Sequence, residues 1–230
     1  YTTGEQLFAV SFFRKTVVDP IEQIALAPPG AVGASYLYTY INNENKAAIK
    51  GLELELQTRL TDNFTIGGNV TLIDAKVGRS QLEQKISEGE QDLTNAFKSL
   101  GSERALFDQP ERLANCFLSY ELPNLGSRIT LSGTLTGKQL KTVGTASSHP
   151  DLYLDELFKL NLVFEQKLND TWSLKFAAKN INKPKPSISY DADIYEALAA
   201  AGNTIGNLVN TTYAREVTEP SYSLSISAKF

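Results

Sequence analysis

Apolar and polar side chains alternate one for one along eight separate stretches of this chain. A period of two puts one set of side chains on each face of a β-strand. In "GLELELQTRL", Leu52, Leu54, Leu56 and Leu60 oppose Glu53, Glu55, Gln57 and Arg59. Phe8, Val10 and Phe12 alternate with Ala9, Ser11 and Phe13, and Phe64, Ile66, Val70 and Leu72 oppose Thr65, Asn69 and Thr71. Ala114, Cys116, Leu118 and Tyr120 oppose Asn115, Ser119 and Glu121, a polar row that Phe117 interrupts. Ile129, Leu131 and Leu135 face away from Arg128, Thr130, Ser132, Thr134 and Thr136. Phe158, Leu160, Leu162 and Phe164 oppose Lys159, Asn161 and Glu165, while Trp172, Leu174 and Phe176 oppose Ser173 and Lys175. The eighth stretch, "SYSLSISAKF", sets Tyr222, Leu224, Ile226, Ala228 and Phe230 against serines and Lys229.

The connections between these strands take turns in length. Short ones fall at Thr61–Asn63, Pro123–Gly126 and Asn169–Thr171, with the Asn, Asp, Gly and Pro content of tight turns. Long ones run over Pro20–Ser35, Lys76–Glu111, Lys141–Leu152 and Lys183–Pro220. Several long loops are uncommon in a compact soluble domain, whereas short turns at one end and long loops at the other are the plan of an outer-membrane barrel. Two of the long connections carry helical signals: Leu82, Ile86, Leu93 and Phe97 form one apolar stripe, and Asp191–Gly202 begins with a capping Asp and ends on Gly.

The pattern allows two environments. In a soluble sheet the apolar face meets a core; in a membrane barrel it meets lipid, and the polar face meets a hydrated lumen. Glu53, Glu55, Lys159, Glu165 and Lys175 lie in the polar rows, which must therefore be wet or paired. The loop asymmetry favours the barrel, as do Tyr120, Phe164, Trp172, Tyr222 and Phe230 near strand ends, where barrels carry aromatic girdles. No apolar run is long enough for a membrane-spanning helix, which excludes helical spans and leaves strands open. A formal charge of −4 on 230 residues gives no reason to expect nucleic acid. The chain has no Met and no signal-like opening, and reads as a piece of something longer.

Candidate chemistry is sparse. His149 is the only histidine and lies in a long loop without metal-binding or catalytic partners. Cys116 stands in an apolar row, where a thiol is a small hydrophobe. Glu53 and Glu55 share a face as an acid and base pair could, but a wet lumen produces the same spacing. No phosphate loop or nucleotide fingerprint occurs, and nothing points to an enzyme, a cofactor or a resident metal. Tyr36, Tyr38 and Tyr40 alternate ahead of the second strand and are candidate loop contacts for a ligand, or parts of the wall above the membrane.

Several segments resemble the C-terminal part of TonB-dependent outer-membrane receptors. "FRKTVVDPIEQI" is similar to the family strand that rises to the surface, and "YTYINNENKAAIKGLELELQTRLTDNFTIGGNVTLIDAKV" resembles its most recognisable stretch, through Tyr40, Asn42, Ala47, Gly51, Leu52 and Glu53. "QPERLANCFLSYEL" and "WSLKFAAKNINKP" resemble the returning and penultimate strands, the latter with its corner at Asn180, Ile181 and Asn182. The resemblance implies an all-β fold over residues 1–230: an antiparallel transmembrane β-barrel segment, the last eight strands of a barrel of about 22.

It also implies the cell outer membrane of a Gram-negative bacterium. Partners would be outer-membrane lipid, the barrel assembly machinery, and the TonB system acting through an N-terminal region that this chain lacks. The implied function is energy-coupled uptake of a small-molecule or glycan ligand such as a siderophore, metal chelate, cobalamin or glycan. The family's plug and coupling box precede the barrel, so this segment is expected not to transport by itself. Tyr222, Leu224, Ile226 and Phe230 would form the C-terminal assembly signal, and the polar rows would face the lumen and the plug. Two departures stand out: Ala228 where many terminal signals carry a larger residue, and "TEPSYSLS" where a Gly-Arg pair is usual. A rival reading is a small closed eight-strand barrel with a structural or adhesion role, in which the strand near Phe8 bonds to that near Leu224. A soluble β-sandwich is the third.

Overall fold

The computed structural model describes residues 2–3, 6–26, 37–83, 102–144, 151–190, 212–215 and 217–229. In chain order the strands begin with β1 (Thr2–Thr3), β2 (Gln6–Val17), β3 (Ile21–Leu26), β4 (Leu37–Asn42), β5 (Ala47–Thr61) and β6 (Phe64–Gly78). Next come β7 (Glu103–Ala105), β8 (Arg112–Leu122), β9 (Ser127–Thr136), β10 (Gln139–Thr142) and β11 (Leu152–Leu154). The last are β12 (Leu157–Lys167), β13 (Trp172–Lys179), β14 (Ser187–Tyr190), β15 (Thr212–Arg215) and β16 (Ser221–Ala228).

All eight expected strands form, as β2, β5, β6, β8, β9, β12, β13 and β16, side by side in one antiparallel sheet. The short connections close as their residues dictate. Gly126, with φ 64°, ends a 3-10 turn over Pro123–Leu125 and returns its N–H to the Pro123 carbonyl. The Asn169 side chain accepts the N–H groups of Thr171 and Trp172 at 2.9 and 2.8 Å. The sheet does not close on itself: Phe8 pairs with Leu56, β1 covers only Leu7 and Gln6 on the other side of β2, and β16 pairs with β13 alone among the described residues. An open wall excludes the small closed barrel. A soluble sandwich fails too, because Phe12, Leu54, Leu56, Val70 and Leu72 remain exposed on a common face with no second sheet over them.

The register explains Phe117 as well. It lies directly opposite Gly67, and a Cβ there would come within 2.4 Å of its ring, so the ring covers the gap a glycine leaves in the polar row. Phe13 covers Gly51 in the same way.

The long connections are more ordered than alternation in the sequence indicates. β3 and β4 form a hairpin, and β10, β11, β14 and β15 form a four-stranded sheet above the wall. The two meet at a parallel bridge between Ile24 and Val143, where Val143 N–H bonds to Gln23 O at 2.9 Å and Ala25 N–H to Val143 O at 3.0 Å. Since β3 follows β2 and β10 follows β9, four strand steps away, the hairpin reaches across about 19 Å of wall. Asp19, at φ 50°, turns the chain from β2 into this hairpin, and the buried Pro20 accepts the Asn43 N–H. Of the helical expectations, only Gln81–Glu83 forms a helical turn within the described residues; Ile86, Leu93, Phe97 and Asp191–Gly202 lie outside them.

Candidate functional site

The core of the molecule sits above the membrane-like wall, on the face that carries Glu53 and Glu55. Ala47 and Ile49 of β5 pack with Val77 of β6 and with Leu106, flanked by Phe13, Val17, Ile73 and Ala75. Beside it, Ile24, Leu140 and Val143 form a second cluster with Ile41, Ala105 and Tyr153. Full burial of such side chains contributes about 1.5–3 kcal/mol each, which holds the hairpin on the wall.

Between these clusters lies a buried ionic knot. Arg104 stands opposite Val77 in register and forks onto two carboxylates. Its Nη1 and Nη2 donate to Glu22 at 2.8 Å each, and Nε and Nη2 donate to Glu83 at 2.9 Å each. Nη1 also donates to the Ala105 carbonyl at 3.2 Å, so every N–H of the guanidinium is used. Asn43 donates to Glu22 at 2.8 Å and to Gly78 O at 2.9 Å. Ser80 and Glu83 make a reciprocal capping box: Ser80 N–H reaches the Glu83 carboxylate at 2.8 Å and Glu83 N–H reaches Ser80 Oγ at 3.2 Å. Arg79 adds a contact to Glu83 at 3.4 Å. Asp151 lies nearby; its Oδ1 accepts the Gly144 N–H at 2.7 Å, and its buried Oδ2 has no hydrogen-bond partner among the described residues.

Burial penalises each of these charges, and the outcome differs from one to the next. For Glu83, burial pushes the carboxyl up, but the hydrogen bonds and charge of Arg104, then Ser80 and Arg79, hold it below the usual range. For Arg104, burial pulls downward and is overcome by Glu22 and Glu83, which raise it. Asp151 is pushed up to about 6 by burial, only partly offset by Arg104, Arg79 and the Gly144 N–H, with Glu83 opposing ionisation. The knot ties two loops together, Glu22 and Asn43 from the first and Arg79, Glu83 and Arg104 from the second, while Asp151 of the third is bonded within its own loop and coupled to them by charge.

A cavity of about 530 Å³ adjoins this assembly, lined by Gln23, Tyr38, Tyr40, Phe107, Asp108, Lys141, Thr142, Leu152, Leu154 and Ile188. Alternation along β3 and β4 sorts the two sides. Glu22 and Ile24 turn into the buried knot and core, while Gln23 pairs in register with Tyr40, and Ala25 with Tyr38. Gln23 donates to the Tyr40 hydroxyl at 3.4 Å and accepts from Thr142 at 3.0 Å. Lys141 binds Asp108 across the cavity rim. Two exposed phenol rings over an aliphatic floor, with one amide and one compensated ion pair, suit a ligand that stacks and hydrogen-bonds.

The structure brings together part of what the sequence singles out. Tyr38 and Tyr40 belong to β4, a strand separate from β5, and so are not part of the wall; Tyr36 lies outside the described residues, as do His149 and Phe230. Glu53, Glu55, Lys159, Glu165 and Lys175 share one face: Glu55 leads through Asn69, Asn115 and Thr134 to Lys159, and Glu165 leads to Lys175. Lys175 and Glu165 pair at 3.2 Å, and Arg128 pairs with Glu121 one strand further on. Tyr222, Leu224 and Ile226 are exposed on β16, with Tyr222 stacked against Phe176 at 6.3 Å. Among the described residues no group of His, Cys, Asp and Glu could hold a metal ion. Glu22, Glu83, Arg104 and Asp151 escape sequence reading. The "SQLE" capping box at 80–83 is the one local signal for Glu83, and the buried amide is Asn43, next to Asn42.

Comparison with known families decides the identity of this wall. A family model described as TonB dependent receptor-like, β-barrel, matches residues 1–181. The chain belongs to this family. Membership places it in the outer membrane of a Gram-negative bacterium, and the open sheet is a segment of the receptor barrel. No curated protein sequence matches it.

Solved receptors share the fold at low identity. The copper transporter OprC is 16% identical, with a TM-score of 0.60 over 100% of this chain and 30% of its own. The ferric-catecholate import receptor Fiu from K12 E. coli is 12% identical, with a TM-score of 0.57 over 98% of this chain and 25% of its own. The siderophore receptor PiuA from Acinetobacter baumannii is 14% identical, with a TM-score of 0.54 over 81% of this chain and 23% of its own. The chain thus spans less than a third of the length of each of these solved receptors.

Proposed function

We propose that the intact protein imports a scarce solute across the outer membrane in a TonB-dependent manner, and that the cavity beside Tyr38 and Tyr40 contributes to ligand capture. The observation that carries this reading is the family match over an open eight-strand wall whose loops are locked into a structured cap. Neighbours named as a siderophore receptor, a ferric-catecholate import receptor and a copper transporter favour a metal or metal chelate as the ligand, with cobalamin or a glycan as the alternatives. TonB engages a region N-terminal to the barrel. In this reading Glu53, Glu55, Lys159, Glu165 and Lys175 line a hydrated lumen beside the plug, and Tyr222, Leu224, Ile226 and Phe230 are read by the barrel assembly machinery.

The test uses the full-length receptor in its host. Its deletion should abolish growth when one of ferric siderophore, copper, cobalamin or glycan is limiting, and loss of TonB should reproduce that defect. Tyr38→Ala with Tyr40→Ala should raise the solute concentration needed for half-maximal uptake. Undiminished growth on every source, or a defect that TonB loss does not share, would overturn the proposal.

A further inference from the structure

The apolar face of the wall ends at one level. On β2 its row runs Phe8, Val10, Phe12 and then Arg14; on β5 it runs Leu56, Leu54, Leu52 and then Lys50. The register sets Phe12 beside Leu52 and Leu52 beside Leu72, and two residues further on sets Arg14 beside Lys50 and Lys50 beside Asp74. A groove of about 670 Å³ lies across this step, with Phe12, Leu52 and Leu72 on its apolar side and Arg14 and Lys50 at its charged rim.

Two other charges at the rim are engaged. Asp74 lies 3.8 Å from Lys76, and Arg112 is held by Glu156 at 2.5 Å. Glu111 lines the groove but pairs with neither Arg14 nor Lys50, and no other described carboxylate does. Arg14 and Lys50, exposed and without an ion pair among the described residues, therefore stand directly above a lipid-facing apolar strip, on the side of the wall that carries the long loops. In barrels of this kind that side is extracellular.

We propose that this step binds the phosphate-bearing headgroup of an outer-leaflet lipid, with its phosphate between Arg14 and Lys50 and its acyl chains along Phe12, Leu52 and Leu72. Each cation near a membrane surface contributes about 1 kcal/mol toward an anionic headgroup. The acyl chains already lie in hydrocarbon, so along Phe12, Leu52 and Leu72 they gain packing contact only. A free phosphate would have only the exposed charges, which salt screens, whereas a lipid anchored in the leaflet along Phe12, Leu52 and Leu72 holds its phosphate at the level of Arg14 and Lys50. The site is independent of which solute is imported, and its failure leaves the import proposal standing.

Native mass spectrometry of the full-length receptor in detergent tests it, with dimyristoyl phosphatidic acid as probe and dimyristoyl glycerol as the phosphate-free comparison. Replacing both cations (Arg14→Gln with Lys50→Gln) should weaken phosphatidic acid binding about thirtyfold and leave the glycerol lipid unaffected. Lys76→Gln, which removes a paired cation, should change little. Equal binding by the double variant would overturn the site. Displacement by inorganic phosphate as effectively as by the lipid would show a bare anion site and overturn it as well. If the double variant does not fold, Arg14→Lys with Lys50→Arg decides: it keeps both charges, and loss of lipid binding there refutes the proposal.

Discussion

Below Gly51, strand β5 shows Leu52, Leu54 and Leu56 on one face and Glu53 and Glu55 on the other; above it the faces exchange character. Lys50 continues the leucine row, while Ile49 and Ala47 continue the glutamate row into the buried core. β6 does the same, with Leu72 giving way to Asp74 and Lys76, and Thr71 to Ile73, Ala75 and Val77. The lower half is a membrane wall, apolar where it meets lipid. The upper half is organised like a water-soluble protein, charged outside and packed inside. One continuous strand serves both because alternation fixes which residues share a face, while the surroundings decide which face must be apolar.

The sharpest way to break the upper half without touching the lower is Arg104→Ala. It strips the guanidinium from between Glu22 and Glu83 and leaves Glu22 buried with only the Asn43 amide and Glu83 with the Ser80 N–H and the longer Arg79 contact, at a cost of about 3–5 kcal/mol. Hydrogen exchange in the β3–β4 hairpin should rise to that of an unpaired loop, while heat-modifiable mobility, which reports the wall, should stay as in the parent receptor. A loss of barrel mobility together with the hairpin would show that the two halves are one cooperative unit.

The converse experiment targets the wall. Leu54→Arg puts a cation on the lipid face and should cost about 2–4 kcal/mol at mid-membrane depth. Glu55→Arg, one residue along on the half-buried polar face, should cost under about 1 kcal/mol, because there it exchanges one charged side chain for another. Equal penalties in a denaturant titration of folding into lipid vesicles would erase the distinction between the faces.

These contrasts also show what alternation can and cannot reveal. The wall is legible because each of its strands repeats one pattern for long enough to count, and because the turns at Thr61–Asn63, Pro123–Gly126 and Asn169–Thr171 carry their own residue signals. The cap is not legible, because burial there inverts the local pattern: Glu22 is buried and Ile21 is 62% exposed. Hydrophobicity would place them the other way round. The knot's members are far apart in sequence, Glu22 and Arg104 by 82 positions, so no local spacing announces them. Tyr38 and Tyr40 are found by type, but their place on a separate hairpin beside the cavity depends on the bridge from Ile24 to Val143.

The smallest expected effect is a pH dependence confined to the cap. Burial raises the Asp151 carboxyl to about 6, against 3.8 for a free aspartate. The folded form therefore binds a proton more tightly than the unfolded chain does. Below pH 4 the group is neutral in both states and costs nothing. Stability of the cap then falls as pH rises from about 4 to about 6, and the loss, roughly 1–3 kcal/mol, is complete above that window. Glu83 runs the opposite way, because its lowered carboxyl gives stability above its unfolded value that is lost only at stronger acidity. Between pH 4.5 and 7 Asp151 should dominate. Asp151→Asn keeps an oxygen for the Gly144 N–H and removes the charge, so exchange protection of the hairpin should become flat across that range and higher than the parent's at neutral pH. The wall strands, which Asp151 does not touch, should show the same protection in both proteins at every pH. A parent hairpin whose protection rises from pH 5 to pH 7 would contradict the assignment and shift the control of the cap to Glu83 and Arg104.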